Sequence, residues 1–471
     1  MDATNEPRRN EAAAAFRAAR SAAAALDVWV SAAPSPAAIM RKSQARLRSL
    51  FHFARSHAPL YQRLYHSIPT NTTPRLSDLP VVTKRLLMED LASSLTRDLS
   101  RAEIELFLAG APAGGLLRDR YAVWTSSGTT GTPGVFLHDR DALAVYDALE
   151  LFRFRGLSGP AEIALRAFGG ERFAMVAATG GHFAGAAAVE RMRATYPWLA
   201  RTARVFSLLQ PLEHLVRELN AYKPTLVATY PTAADLLARE RAAGRLQISP
   251  AEIWTGGECL APTTRERLTR VFGCRVRNGY GSSEFLSIAS ECSEGAMHVN
   301  ADWVVLEPVD ANYRVLDPGE TSATVLLTNL ANGIQPLLRY DLGDSITVLP
   351  DPCACGNPLP AIRVEGRHDD TVALDGDDGR SVTLLPLVLE TVLEEGARVH
   401  DFQLVQRGSD RLVLRLGRDA EGAAPRACAA LRRYLRTNGL ANTHLEVAAE
   451  PPQREARSGK LRRVICAHLP H

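Results

Sequence analysis

From about residue 120 to 290, short apolar β-type runs alternate with helical ones, and glycine-bearing turns join them. "YAVWT" leads into "SSGTTGTPG", and "RDALAVYDALELFRF" follows as a helix. "PTLVATY" precedes "PTAADLLARERAAG", and "AEIWTGGE" and "RVRNGYGSSE" repeat the strand-then-turn order. Strands that regularly lead into helices have little choice but parallel βαβ units, hence a doubly wound α/β sheet. Ligands of such sheets sit at the carboxyl ends of the strands, where these glycine turns would gather.

The flanks differ. Residues 1–100 read as a helical lead-in, with apolar positions at helical spacing through "IMRKSQARLRSLFHFARSHAPLYQRLYHSI". Residues 300–365 turn to strands, "ADWVVLEPVD", "SATVLLTNL" and "PLLRYDLGDSITVL", and predict a β-barrel-like subdomain. After "RVEGRHDD", strands mix with helices as in a small α+β domain. The expected division is therefore a core over 1–366 and a C-terminal domain over 367–471, with its boundary near Arg367 to Asp370.

Of 55 basic residues only four are lysine, namely Lys42, Lys84, Lys223 and Lys460. A compact ammonium does what a planar guanidinium cannot, so each surviving lysine is either chance or a position where arginine fails. The net charge of +3 is small and dispersed, which argues against nucleic acid or an anionic membrane as partner. No apolar run approaches the length of a membrane span, and the opening "MDATNEPRRNE" lacks a signal pattern, so a cytoplasmic protein is expected. Seven cysteines, an odd number, argue against a disulfide framework.

"WTSSGTTGTPGVF" (residues 124–136) is not a Walker loop: Gly128 and Gly131 are too close, and no lysine follows. Its glycines still allow backbone amides to face an anion, with Ser126, Ser127, Thr129 and Thr130 as further donors. By itself the stretch is either a phosphate cradle or a polar loop. In "NGYGSSEF", Tyr280 offers a ring for stacking and Glu284 a carboxylate for magnesium, although a helix cap with an incidental acid reads equally well. Asp344 in "RYDLGD" could accept bonds from ribose hydroxyls, and Lys460 sits in a glycine-containing turn, "RSGK". Cys292 and His298 (C-x₅-H) with Cys353 and Cys355 (C-x-C) give four ligands of the right softness for tetrahedral zinc, though the spacings are not those of a zinc finger.

In this order, "TSSGTTGTPG", "TGGE", "YGSSE", "RYDLGD", "GRHDD" and "RSGKLRR" resemble the acyl-adenylate-forming (AMP-binding) superfamily. An N-terminal "FARSHAPLYQRLY…LPVVTK" makes the chain most similar to the phenylacetate–CoA ligase group. That resemblance implies ATP, Mg²⁺ and coenzyme A as cofactors and a small carboxylic acid, expected to be aromatic, as substrate. It implies that Thr125, Ser126, Ser127, Gly128, Thr129, Thr130 and Gly131 cradle phosphates. Gly257 and Glu258 would lie along the adenine, Tyr280 would stack on it, and Gly281 and Ser282 would belong to the same nucleotide site. Glu284 would ligate magnesium, Asp344 would hold the ribose, and Arg367 would contact ribose or phosphate. Lys460 would bridge the attacking carboxylate and the α-phosphate, and Asp369 would be the hinge of a mobile C-terminal domain. Some members of the group resemble this chain at the four Cys/His positions and hold a structural Zn²⁺ there.

Three departures stand out. Thr132 occupies a position where many relatives have lysine. The interval "TVALDGDDGRSVTLLP" is longer and more acidic than the family's post-hinge loop, which opens amines and carrier-protein thiols as alternative acceptors to coenzyme A. "ATGGHFAG" falls where relatives shape the acyl pocket, so His182 either faces the substrate carboxylate or is a packed histidine. Two other possibilities remain at this level: a degenerate nucleotide-binding protein without turnover, and assembly as a homodimer.

Overall fold

The computed structural model describes residues 19–30, 35–69, 72, 74–126, 134–156, 170–179, 181–365, 372–453 and 461–467. Its spine is a nine-stranded sheet in the order β13-β14-β9-β8-β7-β6-β5-β3-β4. β3 (Phe173–Ala177), β4 (Ala203–Ser207), β5 (Leu226–Thr229), β6 (Glu252–Thr255) and β7 (Arg275–Tyr280) are mutually parallel. Beyond β7 the sheet turns antiparallel through β8 (Ala289–Glu291), β9 (Met297–Val299), β14 (Ala361–Val364) and β13 (Ile346–Val348). The α/β class expected from the strand-turn-helix alternation is observed.

Local chemistry accounts for the crossovers. A helix starts at Pro231 and another at Pro262, where the fixed φ of proline suits the first turn and its missing N–H costs nothing. The second ends on Gly273 in the left-handed region.

The strands expected over 300–365 form but are shared out. β10 (Val304–Val309), β11 (Thr324–Asn329) and β12 (Leu337–Asp341) make a separate three-stranded antiparallel sheet, whereas β13 and β14 extend the large one. β1 (Ala122–Ser126) and β2 (Gly134–His138) form an antiparallel ribbon, with Ser126 opposite Gly134 at its tip.

In the C-terminal region, β15 (Val372–Asp375) and β16 (Ser381–Leu384) pair as a hairpin, and β17 (Phe402–Arg407), β18 (Arg411–Leu416), β19 (His444–Ala448) and β20 (Val464–Ala467) form a mixed sheet. One apolar cluster includes Val176, Val227 and Ile253 of the parallel strands and runs on into Val388, Leu389 and Phe402. The helix Pro386–Ala397 presses close at Gly181, where a methyl group would stand 2.9 Å from the Glu395 carboxyl. Among the described residues no helix is long and apolar enough to cross a membrane.

Candidate active site

The carboxyl ends of β3, β5, β6 and β7 open into a cavity of about 2570 Å³ that also receives Thr125, Ser126, Tyr340 and Asp344. The turn after β7 is tight. A Cβ on Gly281 would lie 1.9 Å from the Leu286 carbonyl oxygen, so only glycine lets the chain fold back there. Ser282 N–H then donates to the Phe285 carbonyl at 3.0 Å, and Glu284 is brought to the cavity wall with 5% of its surface exposed.

The main chain at Glu284 is held from behind by a buried polar network. His138 Nε2 receives no charge in this role: burial pushes its pKa down to about 3, and Nε2 lies 2.8 Å from the Ser283 carbonyl. Its Nδ1 is 3.1 Å from the Tyr146 hydroxyl, and Asn329 Nδ2 donates both to that hydroxyl and to the Glu284 carbonyl. A network satisfied at every member is rigid, and it fixes the position of the carboxylate. Burial raises the Glu284 pKa, and the nearby Lys84 ammonium pulls it the other way. The Tyr340 hydroxyl is hydrogen-bonded to Glu284.

Lys84 reaches this wall because its segment is fastened to β12. Val82 N–H donates to the Arg339 carbonyl at 3.0 Å, and Asp341 N–H donates to the Val82 carbonyl at 2.9 Å. The Arg339 guanidinium is buried and ties back to the Ser77 and Leu79 carbonyls and to Glu307. Thr83 caps the short helix Lys84–Glu89.

Several expected residues meet here. Tyr280 and Asp344 are in contact, the phenol donating to Asp344 Oδ2 at 2.9 Å. Burial first, then the Asp344 and Glu284 carboxylates, raise the Tyr280 pKa well above its ordinary value. Thr125, Ser126, Gly257, Glu258, Gly281, Ser282 and Glu284 line the same cavity. β1 is fastened across it, with Thr125 N–H on the His182 carbonyl and the Ser283 hydroxyl on the Thr125 carbonyl, each at 2.9 Å. The Glu258 carboxylate has a structural partner: it accepts from Thr232 N–H and Thr232 Oγ1, both at 3.0 Å, at the start of the helix after β5. A carboxylate at a helix N-terminus is stabilised by the exposed amides there.

The His182 ring packs against Phe107 at 5.6 Å, and its nitrogens meet the main chain of Leu108 and Ala111. Desolvation lowers its pKa. Ser127, Gly128, Thr129, Thr130, Gly131 and Thr132 lie outside the described residues, as do Arg367, Asp369 and Lys460.

Cys292, His298, Cys353 and Cys355 come together away from these turns, their ligand atoms all within 4.8 Å of one another. β9 pairs His298 with Ala361 of β14, which brings the hairpin cysteine to the two on the β13–β14 connection. Cys292 Sγ is 3.7 Å from Cys353 Sγ, too far for a disulfide and close to the edge of a tetrahedron with metal–sulfur bonds of about 2.3 Å. His298 Nδ1 is 2.8 Å from the Leu359 carbonyl, which leaves Nε2 as the donor atom, 3.3 Å from Cys355 Sγ. That is the orientation a metal-binding histidine takes.

Tyr340 and Glu150 were not picked out by motif. For Lys84 two signals existed, the scarcity of lysine and its place at the end of "LPVVTK", but neither assigned it a role.

The chain matches AMP-binding enzyme over residues 7–322. It is 28% identical over 137 residues to Protein CapK of Staphylococcus aureus, and that match spans 29% of each chain. In fold it is similar to 2-hydroxyisobutyryl-CoA ligase bound to 2-HIB-AMP and CoA in the thioesterification state (TM-score 0.57, 21% identity, 92% of this chain and 91% of that one). The postadenylation state of that ligase with 2-HIB-AMP gives a TM-score of 0.52 at 22% identity, covering 90% of this chain and 88% of that one. The chain belongs to the AMP-binding enzyme family, the adenylate-forming ligases.

Proposed function

We propose that this protein activates a small carboxylic acid with ATP, forming an acyl-adenylate and releasing pyrophosphate, and passes the acyl group to coenzyme A. The observation that carries this reading is the convergence of Glu284, the Tyr280–Asp344 pair and the β1 end on one cavity at the carboxyl ends of parallel strands. In the proposed complex Tyr280 stacks on adenine and Asp344 receives the ribose hydroxyls. The loop after Ser126 holds phosphate through its amides, and Arg367 contacts ribose or phosphate. Glu284 is suited to magnesium: it is an oxygen donor held rigidly at the cavity wall. The metal, when bound, neutralises phosphate charge. Lys84, beside Glu284, supplies a cation that Thr132 does not. Lys460 stabilises charge at the α-phosphate as the carboxylate attacks, carried in and out by a C-terminal lobe that turns about Asp369.

The acid is expected to be aromatic, as in the phenylacetate–CoA ligase group. One observation favours a different acceptor. The post-hinge stretch forms the β15–β16 hairpin with Asp377 and Asp378 in its turn, an acidic element where a short glycine loop would admit pantetheine. An amine or carrier-protein thiol is the second reading. At the Cys/His cluster, three sulfurs and one imidazole at tetrahedral spacing suit zinc; with every ligand supplied by the chain, its role is structural.

Pyrophosphate exchange with a panel of carboxylic acids tests the first half-reaction, and no exchange with any acid would sink it. Mass detection of an acyl-CoA after addition of coenzyme A then separates the acceptors.

A further inference from the structure

The helix Arg140–Leu149 does not end as an α-helix. At Glu150 it passes into a single π turn, Glu150–Phe154, closed by Arg155 N–H on the Glu150 carbonyl at 2.9 Å. Such turns widen a helix at the cost of poorer hydrogen bonds, and they recur at functional sites. Here the turn faces the cavity wall. The Phe154 ring abuts Gly279, where a Cβ would stand 2.9 Å from Phe154 Cε2, and the Ser287 hydroxyl donates to the Glu150 carboxyl. Glu150, Phe154 and Ser287 all line the cavity, Ser287 on the segment that also carries Tyr280 and Glu284.

Two neighbouring acids are neutralised. Asp147 pairs with Arg191, and Glu171 takes the Arg155 guanidinium through both oxygens, at 2.5 and 2.6 Å. Among the described residues no cation comes within ion-pair distance of Glu150. Burial pushes its carboxyl up to about 7, with Ser287 and Arg155 opposing and Asp147 adding to the rise. An acid half-enclosed at a cavity wall with no ion-pair partner is costly unless a ligand supplies one.

We propose that Glu150 selects carboxylic acids bearing an amino group distal to the carboxylate, received at Glu150 through a charge-assisted hydrogen bond. The inference rests on the reading of this cavity as an acid-activating site. Because a site built for a hydrogen bond rejects analogues that leave its buried group unpaired, the preference is large.

The test is titration calorimetry of the full chain in the presence of AMP, with matched pairs of acids: aminobenzoates against benzoate and methylbenzoates, and ω-aminoalkanoates against alkanoates. Wild type is expected to bind the amino member about 10- to 100-fold more tightly, and Glu150→Gln to bring each pair within about threefold. Equal binding within the pairs, a preference that survives Glu150→Gln, or no binding of either member overturns the proposal. Pyrophosphate exchange is read on the same pairs. Selective binding without exchange counts against adenylation and leaves recognition standing; exchange without selectivity counts against recognition alone.

Discussion

The hydroxyl of Tyr280 donates to Asp344 across 2.9 Å, joining the end of β7 to the loop after β12. The two residues are 64 positions apart, and both line one cavity. Tyr280→Phe keeps the ring and is expected to change kcat/KM for ATP by no more than about threefold, whereas Tyr280→Ala costs about tenfold through lost stacking. Asp344→Ala, which in the proposed complex would remove two charge-assisted bonds to ribose, is expected to cost about 100-fold. Pyrophosphate exchange at varied ATP reads all three.

Lys84→Ala is expected to raise the KM for ATP about tenfold, the scale of one exposed-to-half-buried ion contact with phosphate. Thr132→Lys in that background should recover part of the loss. A structural role for Lys84 predicts no rescue, and equal KM values for the single and double variants would remove the claim.

Lys460→Ala is expected to lower the adenylation rate by about 10²–10³, the usual cost of removing a preorganised charge from a transition state. Transfer of the acyl group from a supplied acyl-adenylate should fall far less, because in the proposed cycle the lysine serves only the first half-reaction. Single-turnover assays of the two halves make the comparison.

Purified protein should contain about one equivalent of zinc per chain, as four protein ligands imply. Cys353→Ser is expected to lose the metal and several degrees of thermal stability, since metal bound only by the folded chain stabilises it. Undiminished zinc in that variant contradicts the assignment.

Glu150 has a folded pKa raised from the carboxylate range to about 7. For a raised pKa, the folded state holds its proton more tightly, so stability attributable to the group is present at low pH and lost as pH rises to about 7. Glu150→Gln cannot ionise. The melting temperature of wild type should therefore fall relative to this variant between about pH 4.5 and 7, with the gap constant above. Parallel melting curves across that window contradict the assigned environment.

The sequence by itself determined the α/β class, because strand runs followed by glycine turns and helices admit only parallel crossovers. It also pointed to Tyr280, Glu284 and Asp344, whose chemistry and order are local. What only the tertiary structure decided are relations between distant segments. Val82 lies along β12 and so delivers Lys84 to Glu284; β9 pairs with β14 and so gathers Cys292, His298, Cys353 and Cys355. The packing of the His182 ring against Phe107 is another such relation. Glu150 carries no motif, since a helix of ordinary composition does not announce a π turn or the cavity beside it. The physical reason is common to all of these: backbone preference acts over a few residues, whereas burial and ligand geometry depend on which surfaces the fold brings face to face.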